Sequence, residues 1–330
     1  MATLSLSGNI KKERLIIMGT MLKILITILI FVSIWLGCHA QQRGITSTYM
    51  FNGLTLNPAY AGSLNELSVT YVHRKQWLNI EGAPTYQVFN AHNSFFSNRI
   101  GIGVLASNDK VGSHNDNGLY LSTAYKIRTG MGILSMGISG GFNNRVTDFT
   151  ELNLKDTDDP LLSGVQKNFS PNFGTGVYFA NPNVFVGLCI PYVMESKVYK
   201  NVDGLDNSFL RSRESRYYYA TAGGLFHLSN QVKLNPSVLL RLHEEAAFSW
   251  DANINVIFDK IAYLGVNIRK SGELTFLGQI ILNMNVRVGY AYDAVTNELN
   301  NRSTGSHEIF LNYRVKLRNY KKDPQCPVYF

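Results

Sequence analysis

Three cysteines in 330 residues are too few to build a disulfide scaffold. Charged side chains make up only 16% of the chain, well short of the roughly 25% of an ordinary soluble domain. Only one uncharged apolar run approaches the length of a membrane-crossing helix, and it lies at the N-terminus, so a bundle of transmembrane helices is excluded. Apolar residues still reach 45%, which is too many for a disordered chain. Basic residues exceed acidic ones by eight, but they are scattered rather than gathered on one stripe, so no nucleic-acid surface is expected. What the chain has instead is 18 Tyr, 18 Phe and 28 Gly, a combination that suits long strands with aromatic belts.

The N-terminal run is read as an export signal. Ile24 to Gly37 is uncharged, follows Lys23 and leads into Cys38, His39 and Ala40, which gives a basic start, an apolar stretch and a small residue at the cut. Residues 1–40 are therefore expected to be a signal peptide, with Met21 a possible true start. Trp35 stands where a lipobox prefers Leu, which argues against lipidation at Cys38. Without those residues the chain keeps 27 basic and 22 acidic side chains. Cys189, in a strand, and Cys326, in the tail, are expected to be free thiols.

Period-two alternation dominates from Leu67 to Arg318. Phe248, Trp250, Ala252, Ile254, Val256 and Phe258 share one face while Ser249, Asp251, Asn253 and Asn255 share the other, with Ile257 breaking the rule. Fourteen such segments are expected: 67–78, 85–96, 99–107, 116–127, 131–143, 171–180, 183–193, 216–229, 231–243, 248–258, 261–270, 273–282, 286–293 and 306–318. Many have the roughly 9–11 residues that a tilted strand needs to cross a bilayer. Every second connection is tight (Ser97-Asn98, 128–130, 181–183, Asn230, 259–260, 283–285), whereas 144–170, 194–215 and 294–305 are long. Even strand number and alternating loop length together predict an all-β fold, a transmembrane antiparallel up-and-down β-barrel of about 14 strands in the outer membrane, with periplasmic termini. Lipid offers backbone groups no partners, so only a closed ladder survives there. Residues 67–318 would form the barrel, 41–66 a periplasmic lead or plug segment, and 319–330 a periplasmic tail whose Pro324 and Pro327 prevent extension of the last strand.

Catalytic and cofactor motifs fail on context. Gly101-Ile102-Gly103-Val104-Leu105-Ala106 matches a dinucleotide fingerprint, but it lies in a strand with no helix after it, so small residues on a barrel wall explain it better. Asp156, Asp158 and Asp159 lack the glycine and closing glutamate of a calcium loop. The histidines show no paired metal spacing and no serine sits in a nucleophile elbow. No enzyme, cofactor or metal is expected. Lumen-facing Lys233, Arg241, Asp251, Arg287, Asp293, Arg314 and Lys316 could set pore selectivity or could cross-link a wet interior.

Tyr49-Met50-Phe51-Asn52 followed by Asn57-Pro58-Ala59-Tyr60-Ala61-Gly62 resembles the opening of the PorP/SprF family of type IX secretion outer-membrane proteins. Arg74-Lys75-Gln76-Trp77 with Gly82-Ala83-Pro84 resembles that family's first hairpin, and Val288 to Asp293 with Gly305-Ser306-His307-Glu308-Ile309 resembles its last. Asn52-Gly53 departs from the family, in which a proline often follows the asparagine. The resemblance implies a non-enzymatic outer-membrane barrel that assists secretion or surface attachment of a cognate cargo such as an adhesin in gliding-type bacteria. Its implied partners are the periplasmic and inner-membrane parts of the secretion machine, besides outer-membrane lipid. Candidate motif or partner residues are Asn57, Pro58, Gly62, Arg74, Gln76, Trp77, Pro84, Asp293, His307 and Glu308. Bland roles stay open for them: Pro58 and Gly62 suit turns, and Trp77 suits an interfacial aromatic girdle. A general porin or solute channel is the alternative.

Overall fold

A computed structural model of the chain describes residues 45–150, 164–198, 212–214, 216–244, 246–259, 261–296 and 303–317. The described residues of 45–244 and 248–317 form one compact unit, and the expected signal peptide and C-terminal tail lie outside the described residues.

Among the described residues, seventeen strands follow three short 3-10 turns at Tyr49–Phe51, Gly53–Thr55 and Pro58–Tyr60: β1 (Leu67–Lys75), β2 (Thr85–Phe95), β3 (Ile100–Val111), β4 (His114–Arg128), β5 (Ile133–Asp148), β6 (Val165–Ala180), β7 (Val184–Ile190), β8 (Ser196–Val198), β9 (Ser212–Glu214), β10 (Tyr217–Gly224), β11 (Phe226–His227), β12 (Val232–His243), β13 (Ser249–Phe258), β14 (Ala262–Arg269), β15 (Glu273–Ile281), β16 (Val286–Val295) and β17 (Ser306–Val315). β8 and β9 pair only with each other, and β11 continues β10 past Leu225 along β12. The other fourteen form a closed antiparallel ring, because β10 pairs with both β7 and β12 and because β1 pairs with β17 from Leu67↔Val315 to Lys75↔His307. The barrel is therefore up-and-down with fourteen strands, and a closed ladder leaves no sheet edge to meet hydrocarbon.

Outward rows are apolar: Leu121 is 64% exposed, Ile138 62% and Ile268 52%. Inward rows are polar and buried, as in β13, where Ser249, Asp251, Asn253 and Asn255 face in. Ile257, the break in that strand's alternation, also faces in and joins the apolar cluster that contains Phe51, Tyr263 and Phe310. The exception thus marks a place where the interior itself is apolar.

Several strands outrun their expected limits. β3 and β4 meet at Gly112-Ser113 where the sequence pattern suggests a longer connection, and β5 and β6 pair from Ile133↔Ala180 as far as Asp148↔Val165. At these ends both faces are polar, for instance Asn143 to Arg145 and Gln166 to Asn168, so no hydrophobic alternation reports a ladder held by backbone bonds and by an Arg145–Asp116 ion pair at 2.9 Å. β7, conversely, stops at Ile190, one residue before Pro191, which has no N–H to give the ladder.

Residues 45–64 lie within this ring. Tyr49, Met50, Phe51, Leu54, Leu56, Ala59 and Ala61 are all buried, and the wall makes room for them with glycine. A Cβ on Gly101 would stand 1.9 Å from the Ala61 carbonyl oxygen, and one on Gly137 would stand 2.3 Å from the Ala59 nitrogen. The glycine pair resembling a nucleotide fingerprint is thus a seat for the segment: Gly101 meets its backbone, and Gly103 makes room for the Leu54 side chain. Gly137→Val forces a side chain onto backbone that cannot rotate aside, with an expected loss of about 1–3 kcal/mol. Gly140→Ala, which meets nothing within 4 Å, is expected to be neutral. The urea midpoint of heat-modifiable gel migration compares the two.

Candidate functional site in the barrel interior

The inward segment is held at two levels. In the half of the barrel bearing the longer connections, the β1, β16 and β17 ladders bring Arg74, Asp293 and Glu308 together across the closure seam. Arg74 Nη1 lies 2.5 Å from Asp293 Oδ2 and 3.3 Å from Glu308 Oε2. All three side chains are at most 2% exposed. One guanidinium faces two carboxylates, so the excess negative charge needs donors, and the segment supplies them. Ser47 N donates to Glu308 Oε2 at 2.7 Å, Thr48 N donates to Glu308 Oε1 at 2.9 Å, and the Thr48 hydroxyl donates to the same oxygen. Ser47 Oγ accepts from Arg74 Nη1 at 2.7 Å and donates to Asp293, which also takes a bond from Thr275 Oγ1 at 2.6 Å. Buried charges are tolerated only when paired and hydrogen-bonded, and Ser47 and Thr48 supply donors that the two carboxylates need, while Arg74 Nε and Nη2 stay buried without a hydrogen-bond partner among the described residues.

A second buried network continues along the wall. Asp251 takes Arg241 at 2.6 Å and Arg269 at 3.1 Å, and Arg269 reaches on to Glu273. Tyr49 packs beside it; burial first, then the Asp251 carboxylate, push its phenol well above the ordinary range, so it stays neutral. Of the seven lumen charges singled out in the sequence, Arg241, Asp251 and Asp293 therefore cross-link the interior.

At the tight-turn end the segment meets different partners. Asn57 caps the turn at Pro58–Tyr60 by accepting from Ala59 N at 2.9 Å, and its amide donates to the Val177 carbonyl of β6 at 3.0 Å. Gly62, at φ +63°, donates its N–H to His92 Nδ1 at 3.2 Å, and Lys126 Nζ binds both the Gly62 carbonyl and Asn98 Oδ1. Asn52 and Asn90 bond through their side chains at 2.7 Å. Cys189 is a buried free thiol whose Sγ donates to the Leu56 carbonyl; Cys326 is outside the described residues.

The ten sequence candidates therefore separate. Arg74, Asp293 and Glu308 form one cluster, while Asn57, Pro58 and Gly62 belong to the segment that the barrel encloses. Gln76, Trp77, Pro84 and His307 stand apart: Gln76 N donates to the Pro84 carbonyl, Trp77 N donates to Ser306 Oγ at 3.2 Å, and the His307 ring meets the Tyr290 hydroxyl on the outward face. Ser47, Thr48, Asn90, His92 and Lys126 escape sequence reasoning, since each is a common residue whose partner lies far off in the sequence: on the closure strands for Ser47 and Thr48, and in the enclosed segment for the other three.

Residues 38–313 match the family described as type IX secretion system membrane protein PorP/SprF. The chain belongs to this family. No curated protein matches it. Among solved structures, Omp33, an outer membrane protein of Acinetobacter baumannii, is similar at 10% identity and a TM-score of 0.43 over 77% of this chain and 99% of its own. A TodX mutant, described as a monoaromatic hydrocarbon channel, has 11% identity and a TM-score of 0.43 over 80% and 94%. KdgM porin has 11% identity and a TM-score of 0.32 over 74% and 98%. The family match over a closed fourteen-strand ring makes the protein an outer-membrane β-barrel of the type IX secretion class; the likenesses to solved structures are too distant to carry any argument.

Arg74→Met leaves two carboxylates buried without their cation and is expected to cost about 3–5 kcal/mol. Asp293→Asn keeps the shape and leaves Arg74 paired with Glu308, so it is expected to cost less. Urea midpoints of heat-modifiable migration rank the variants.

Proposed function

We propose that this protein is a plugged outer-membrane component of type IX secretion that assists the export or surface attachment of a cognate cargo protein, such as an adhesin, without a catalytic step of its own. Family membership across residues 38–313 carries the reading. The filled interior supports it over a general porin, because a solute channel needs a continuous wet path and residues 45–64 occupy the lumen with buried side chains. In this reading residues 1–40 are a cleaved signal, residues 41–66 the lead that plugs the barrel, and 319–330 a tail outside it. The tight turns and both termini face the periplasm, where partners of the secretion machine reside. Gln76, Trp77, Pro84 and His307, gathered at the other end, are candidates for contact with cargo on the cell surface.

Deletion of the gene should remove one or a few large proteins from the surface-exposed and secreted fractions, read by surface labelling and mass spectrometry. An unchanged surface with reduced uptake of a small solute would transfer the role to a channel. Orientation is read separately: Glu81→Cys, exposed in the 76–84 connection, should label in intact cells, and Ser229→Cys, exposed in a tight turn, should not. The reverse result would invert the topology.

A further inference from the structure

The two ends of the lumen differ in how their charges are matched. In the long-connection half, the inward guanidiniums Arg74, Arg241 and Arg269 each have a carboxylate within 3.3 Å. At the tight-turn mouth the inward rows, or the residues directly continuing them, bring seven basic side chains: Arg99, Lys126, Arg128, Lys233, Arg287, Arg314 and Lys316. Only two described carboxylates, Glu66 and Asp259, stand at that end, and they are engaged with Lys316 at 3.8 Å and Lys233 at 3.5 Å. A mouth so lined holds a positive potential that its low-dielectric walls focus.

Within it, Arg287 and Arg314 are neighbours. Arg287 lies opposite Asn312 in the β16–β17 ladder, and Arg314 is the next inward residue along β17. Arg314 Nε donates to Asn312 Oδ1 at 2.8 Å, while the Asn312 amide is spent on Ser68 and Thr70. Arg287 Nε and Nη1 are buried and have no hydrogen-bond partner among the described residues. On the adjoining β15, Gln279 is 1% exposed, and both ends of its amide are likewise unpartnered. Two adjacent guanidiniums offering a forked set of donors, beside an unsatisfied amide, match the geometry of an incoming carboxylate.

We propose that the tight-turn mouth is a docking site for an acidic polypeptide segment, one carboxylate of which seats on Arg287 and Arg314. The inward direction of these rows turns them away from lipid headgroups, and the number of cations around the rim calls for several negative charges on one chain. That the partner is periplasmic rests on the orientation proposed above; the binding chemistry does not.

The test uses the purified full-length barrel in detergent and a fluorescein-labelled oligoglutamate peptide, followed by anisotropy. Saturable binding is expected, weakened by salt as exposed charge pairs are screened. Arg287→Gln combined with Lys316→Gln should raise the Kd about tenfold, as loss of charge-assisted contacts does. Lys110→Gln with Lys167→Gln, exposed on the long-connection side, should leave it unchanged. Heat-modifiable migration checks that each variant is folded. Equal affinity in the Arg287/Lys316 variant would overturn the proposal. So would displacement of the peptide by inorganic phosphate at an ionic strength where chloride has no effect, since the site would then be one for a small anion. Neither result bears on orientation, which the cysteine labelling reads by itself.

Discussion

Every backbone N–H and C=O that meets hydrocarbon must find its partner inside the protein, and in this chain that requirement is met when the last strand returns to the first. The β1–β17 ladder turns a row of strands into a closed wall. The outward rows can then be almost wholly apolar, because no polar group remains to be served on that side. Everything polar is pushed inward, where an empty lumen would leave it either hydrated or unpaired.

The interior solves this with a second piece of chain. Residues 45–64 bring apolar side chains to the middle of the lumen and hydrogen-bond donors to the carboxylates of Asp293 and Glu308, so part of the inward polar surface is matched by protein. Inward glycines at 101 and 137 let backbone approach backbone, closer than any other residue would permit, and Gly103 makes room for the Leu54 side chain. Packing of this kind makes the occupied barrel a single cooperative object. It also accounts for Ile257 and Phe310, apolar residues on rows that are otherwise polar.

Strand number, facing and closure were legible because the lipid imposes a period-two rule that β12, β13 and β17 obey over most of their length. The rule fails where lipid is absent: the far ends of β4, β5 and β6 have polar residues on both faces, and there the expected strands stop short. The candidate residues divide on the same principle. Arg74, Asp293 and Glu308 could be singled out through family resemblance, yet their meeting, with Arg74 and Glu308 234 residues apart, depends on the register in which β1 and β17 close the ring, which no local pattern reports. Ser47 and Thr48 leave no signal at all, since a hydroxyl and two backbone N–H groups become important only once two carboxylates arrive beside them.

The contact between Ser47 and Glu308 spans 261 residues. The strand bearing Glu308 is the last to be synthesised, while the segment bearing Ser47 precedes the first. The part of the seat formed by Arg74, Asp293 and Glu308 therefore cannot exist until β17 has paired with β1. Conversely, a barrel closed in the wrong register would place Arg74 opposite some other residue and leave its charge buried alone. The contacts of Ser47 and Thr48 with Glu308 therefore tie the position of the amino-terminal segment to the register in which the ring closes.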